Sequence, residues 1–118
     1  MATLGLNIRC VAGQSHRDAI SRFYREVFGA DTVHPAEDLD VYVLGGTACI
    51  GVYFVADDQA LTPQQHEAVG TWIEITVDDV EQVRAQLKER GVQELTYRDQ
   101  EHHYFAAPGG QVFRLAAA

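Results

Sequence analysis

The stretch "TWIEITVDDVEQVRAQLKERGV", residues 71–92, changes period partway along. Trp72–Val77 alternates strictly. Ile73, Ile75 and Val77 fall on one side, and Trp72, Glu74 and Thr76 on the other. That is the period of a half-buried strand. Over 80–90 the apolar residues recur as Val80, Val83 and Leu87, which is helical spacing. Asp78 is expected to cap the helix start and Gly91 to end it. A strand running into a helix buries Ile73, Ile75 and Val77 between the two. The other strand face carries an indole and a carboxylate and must look at something else.

Working outward, the same order occurs twice. After the helix, residues 93–97, 102–106 and 111–115 read as strands, with "PGG" at 108–110 joining the last two. Upstream, residues 4–11 alternate, with Leu4, Leu6, Ile8 and Cys10 on one face and Asn7 and Arg9 on the other. Ser15 is expected to cap a helix over 16–28 whose buried stripe is Ala19, Ile20, Phe23, Tyr24 and Val27. Gly29 stops it. A short strand near 30–34 follows, then strands at 40–44 and 47–55 joined at Gly45-Gly46, a hairpin signal. The pattern predicts an α+β domain of two βαβββ modules with mostly antiparallel sheets. Module one covers about 1–56 and module two about 71–118. Residues 57–70 contain Pro63 and no clear period, and read as a linker.

A chain of 118 residues suits one domain. The formal net charge of −8 argues against nucleic-acid or anionic-membrane partners, which need a surplus of Lys and Arg. The 2 cysteines, Cys10 and Cys49, show no CxxC spacing and read as free thiols in a reducing compartment. No apolar run approaches the ~20 residues that span a bilayer. The first ten residues lack the pattern of a secretory signal. A cytoplasmic location is the default expectation.

Other chemistry-bearing groups carry less. In "EHHYF", residues 101–105, His102 and His103 point to opposite faces of a strand and cannot chelate one ion together. Glu101 and His103 share a face, but two donors are too few for a catalytic metal. His16, His34 and His66 read as surface residues, Cys10 and Cys49 as core fillers, and Tyr24 as packing. Tyr53 and Tyr104 could reach the strand faces turned away from the helices. No glycine loop opens a helix in the manner of a phosphate site, so no cofactor is expected.

"AISRFYREVFGAD", "WIEITVDDVEQVRAQLKERGV" and "YFAAPGGQVFRLA" together resemble the vicinal oxygen chelate superfamily, which includes glyoxalase I, extradiol dioxygenases and bleomycin-resistance proteins. The resemblance covers essentially the whole chain. It implies curved sheets whose concave faces form a cavity, with metal ligands on the first and last strands of each module in the metal-dependent members. Carried over by position, the first strand offers Gly5, Asn7 or Arg9, and the last strand of module one offers Gly51 or Val52. Trp72 stands at the third ligand position. Arg114 stands at the fourth, where the family often has Glu. None of these is a usual divalent-metal ligand.

The resemblance therefore implies a metal-independent small-molecule-binding protein, acting on a small aromatic or anionic ligand. Trp72 would be a stacking wall, Arg114 or Arg9 an anion clamp, and Glu74 a polar anchor or base. The alternative is a lyase, isomerase or dioxygenase of the same superfamily using atypical metal ligands. An interaction domain without a small ligand is a third reading. A bland account also stands beside these, in which Glu74 simply pairs with Arg9 or Arg114. A homodimer is expected, because short two-module chains of this family commonly pair.

Overall fold

The computed structural model describes all 118 residues, Met1–Ala118. They divide into two compact units, Met1–Ala60 and Leu61–Ala118. Each unit holds one four-stranded sheet.

In the first unit β1 (Asn7–Gly13) leads through a 3-10 turn (Gln14–His16) into α1 (Arg17–Phe28). Then come β2 (Asp31–Ala36), β3 (Leu39–Leu44) and β4 (Ala48–Val55). The sheet order is β1-β4-β3-β2. β4 runs parallel to β1 and antiparallel to β3, and β2 is antiparallel to β3. The sheet is thus mixed, because the chain returns beside β1 only after the α1 crossover. Gly45 and Gly46 both take positive φ, 60° and 80°, which suits the tight turn between β3 and β4. Ile20, Phe23 and Tyr24 of α1 are buried, as are Tyr42, Ile50, Val52 and Phe54 of the sheet. Tyr24 stacks on Tyr42 at 5.0 Å.

The second unit repeats this plan behind one added element. α2 (Pro63–Val69) precedes β5 (Trp72–Val77), α3 (Val80–Glu89), β6 (Glu94–Leu95), β7 (His103–Ala106) and β8 (Val112–Ala117). The order β5-β8-β7-β6 matches the first sheet position for position, again with the outer pair β5–β8 parallel. Ile73, Ile75, Leu87, Phe105, Phe113 and Leu115 form the buried side. A side chain of that size contributes about 1.5–3 kcal/mol when taken fully out of water. No helix is long and apolar enough to cross a membrane.

Several local expectations need correction. β1 begins at Asn7, not at residue 4. Ser15 does not cap α1; its N–H donates to Asp57, and His16 occupies the cap without a side-chain bond. The cap of α3 is Asp79, not Asp78. Asp79 has extended backbone and its carboxylate accepts from the Gln82 N–H at 3.0 Å. Part of the predicted linker is helical, because Thr62 and Gln65 form a reciprocal capping box with Pro63 at the first turn. Seven residues are too few to show a period. His66 lies on that helix and is buried, not a surface residue.

Candidate functional site

The open face of the second sheet is built row by row from strand register. Glu74 on β5 lies opposite Arg114 on β8, and Arg114 lies opposite Tyr104 on β7. Trp72 is two residues before Glu74 and shares its face. Ile73 and Ile75 point to the buried side, so the alternation read from the sequence holds.

Arg114 organises the face. Its Nε donates to Glu74 Oε2 at 2.8 Å and its Nη2 lies 2.6 Å from the same oxygen. Nη1 donates to the Tyr104 hydroxyl at 3.1 Å and to Asp99 Oδ2 at 3.4 Å. The guanidinium carbon stands 4.1 Å from the centre of the Trp72 ring, a cation–π contact. The bonds to Tyr104 and Glu74 hold the guanidinium above its ordinary pKa. The Tyr104 ring makes a T-shaped contact with Trp72, centres 5.8 Å apart, and lies 4.6 Å from Tyr97.

Asp99, in the loop between β6 and β7, ties this face together. Its Oδ1 accepts the Glu101 N–H at 2.9 Å. Its Oδ2 contacts His102 Nδ1 at 2.7 Å and accepts from the Tyr104 hydroxyl at 3.0 Å. The Glu101 N–H, with help from His102 and Tyr104, pulls its pKa down to about 2. An ionised Asp99 requires the proton of His102 on Nδ1.

Trp72, Glu74 and Arg114 therefore share one surface, while Arg9 belongs to the other unit. There Arg9 lies 4.7 Å from the Tyr53 ring on the open face of the first sheet. An open depression of ≈360 Å³ on that sheet is lined by Asn7, Ile8, Arg9, Leu39, Val41, Cys49 and Gly51. Cys49 thus lines this hollow instead of filling the core. Cys10 behaves as a buried thiol, with burial pushing its pKa up to about 11.

Sequence reasoning passed over Asp99 and His102 as members of the second face. The signal for them was faint: an Asp three residues before a His in a polar loop. His103 turns to the opposite side, where it sits 3.2 Å from Glu94, itself bonded to Arg84 of α3. The two neighbouring histidines serve separate clusters, as strand geometry requires.

The donors at the superfamily's ligand strands do not fit a divalent metal. The open faces of β1 and β4 carry Asn7, Arg9, Cys49, Gly51 and Tyr53. Those of β5 and β8 carry Trp72, Glu74, Val112 and Arg114. Glu74 is the sole carboxylate among them and is held by a guanidinium. No three His, Cys, Asp or Glu side chains come together in a metal-binding group.

The fold has clear relatives among solved structures. The fosfomycin resistance protein FosX from Listeria monocytogenes, complexed with Mn(II) and sulfate, matches with a TM-score of 0.72 and 16% identity, covering 100% of this chain and 91% of that one. Lactoylglutathione lyase from Agrobacterium tumefaciens matches with a TM-score of 0.69 and 16% identity, covering 100% and 95%. TnmS3, an antibiotic binding protein from Streptomyces sp. CB03234, matches with a TM-score of 0.67 and 16% identity, covering 98% and 96%. At such identity the likeness is one of fold. No curated protein matches the chain. A family model described as a glyoxalase-like domain matches residues 10–116. With nearly the whole length matched and the doubled strand-helix-strands order in place, the chain belongs to the glyoxalase-like domain family of the vicinal oxygen chelate superfamily.

Proposed function

We propose that the chain is a metal-independent small-molecule-binding protein of the glyoxalase/bleomycin-resistance type, taking a small ligand that is aromatic or anionic. The observation that carries this reading is Trp72. A large indole remains 38% exposed on an open sheet face, with a tyrosine in T-shaped contact and a guanidinium over its ring. Exposed aromatic surface framed by a few fixed polar groups is what small-molecule sites are made of. The poor metal-donor set supports the metal-independent part. One structural relative is named an antibiotic binding protein, which fits the same class of function.

Trp72 is the only tryptophan, so its fluorescence reports the face directly. Titration with uncharged aromatic amides in the presence of EDTA should give saturable quenching. Stoichiometric Zn, Ni, Mn or Fe in the purified protein, with quenching lost on chelation, would favour the lyase, isomerase or dioxygenase alternative. The free thiols of Cys10 and Cys49 fit a cytoplasmic location.

A further inference from the structure

The two open sheet faces differ in how their arginines are satisfied. Every guanidinium nitrogen of Arg114 has an oxygen partner, and two carboxylates surround that one cation. One Nη2 N–H is left over, but two carboxylates beside the cation offset its charge and oppose an incoming anion. Arg9 is the reverse. It is exposed, makes no ion pair, and rests only on the Tyr53 ring.

The middle rows of the two sheets show why. In the second sheet Glu74 faces Arg114, which faces Tyr104. In the first sheet Arg9 faces Gly51, which faces Val41. Where the second sheet has a neutralising pair, the first has a gap. Asn7 is two residues before Arg9 on the same face and is also exposed. The only strand carboxylate on this face is Asp31, opposite Val43 on the far edge strand. It lies three strand spacings from Arg9, or roughly 14 Å. Asp40 faces the helix side, where Arg17 and His34 hold it.

We infer that Arg9, Asn7 and the hollow over Gly51 form a carboxylate seat on the first sheet, for a small acid with a flat or apolar body. The guanidinium offers a planar fork matched to a carboxylate. Tyr53 supports the guanidinium by its ring face and limits its wandering. Asn7 adds an amide donor. Leu39 and Val41 give the apolar walls, and the missing side chain at Gly51 leaves the floor open. This goes beyond the ligand-binding reading above: the seat lies within the first unit and is argued apart from the Trp72 face. It also assigns the anion-clamp role to Arg9 and withdraws it from Arg114.

A Cβ added at Gly51 would meet only ordinary contacts, 3.7 Å from a Leu39 methyl and 3.8 Å from the Ile8 carbonyl. A single added methyl there is therefore compatible with the fold. Phenylacetate and its uncharged analogue phenylacetamide, titrated calorimetrically into the whole chain, test the proposal. Phenylacetate should bind about ten-fold or more tightly than the amide, the size expected for a charge-assisted hydrogen bond. Raising the salt should erode that preference. Arg9→Gln should abolish it, whereas Arg22→Gln, an equal charge change on an exposed face of α1, should leave it intact. Gly51→Ala should weaken phenylacetate with an unchanged melting temperature. Equal affinities for acid and amide in the parent chain, or a preference that survives Arg9→Gln, would overturn the inference. If the amide still quenches Trp72 in that case, the broader ligand-binding reading stands. If neither compound binds, both fall.

Discussion

Asp40 is nearly inaccessible, yet it is charged. Arg17 donates to both of its oxygens at 3.1 and 2.6 Å, His34 Nδ1 lies 2.6 Å away, and the Tyr42 hydroxyl donates at 3.2 Å. Burial opposes its ionisation, but the bonds from Arg17 and His34 outweigh it and lower the pKa. Asp40→Asn should keep the shape and lose the charge, leaving Arg17 without its counter-ion. Because Arg17 is partly exposed, the loss should sit at the low end for a broken buried pair, about 2–3 kcal/mol. Urea unfolding at pH 7 measures it. A change below ~0.5 kcal/mol would show the cluster to be idle. His66 gives the opposite pH signature from a paired histidine. Burial lowers its pKa, so the folded chain resists protonation there. The unfolded chain binds that proton near pH ~6.5. Stability should therefore fall as pH drops from about 6.5 toward the lower folded value, since the unfolded state then binds more protons. His66→Gln should flatten this part of the stability–pH curve relative to the parent protein.

At the scale of elements, the two acidic residues before α3 separate sharply. Asp79 holds the Gln82 N–H, while the Asp78 side chain makes no hydrogen bond to the helix. Asp79→Ala should cost about 1 kcal/mol and Asp78→Ala nearly nothing, because only the first orphans a helix N–H. Thermal unfolding of the two variants side by side checks the order. A reversed order would mean that the helix starts one residue earlier in solution. The sequence showed that a cap existed, since two Asp residues stand where the period changes. Backbone dihedrals chose between them. α2 was hidden for a different reason. A seven-residue helix has too little length for periodicity, and its stability lies in the Thr62–Gln65 box and in burial of His66. Gly110 has φ of 102° and would place a Cβ 2.9 Å from the His66 ring, so a glycine far along the chain keeps room for this helix.

For the whole molecule, the apolar residues at the start of the chain bear on assembly. Leu4, Leu6 and Ile8 continue the buried stripe of β1, yet they are 99%, 60% and 43% exposed. β1 is an edge strand, and an apolar edge invites pairing. We expect a homodimer, with sedimentation velocity giving twice the monomer mass of 13.1 kDa at micromolar concentration. Leu6→Lys on β1's uncovered approach should shift the distribution toward monomer without lowering helix content. A wild-type monomer at high micromolar concentration would count against pairing.

Much of this protein could be read from residues alone, because its information is local and periodic. Alternation placed β5 and the face of Trp72 and Glu74, a 3.6-residue stripe placed α1 and α3, and paired glycines placed the β3–β4 turn. The doubling of that order gave the fold class, since each helix can hide its stripe only against its own strands. Side-chain partnership depended on tertiary register. Nothing local says that Arg114 meets Glu74 and Asp99, residues 40 and 15 positions away, while Arg9 meets a glycine. Those neighbours are set by which strands pair and in what register. They decide that one arginine is spent on its own carboxylates and the other is left open.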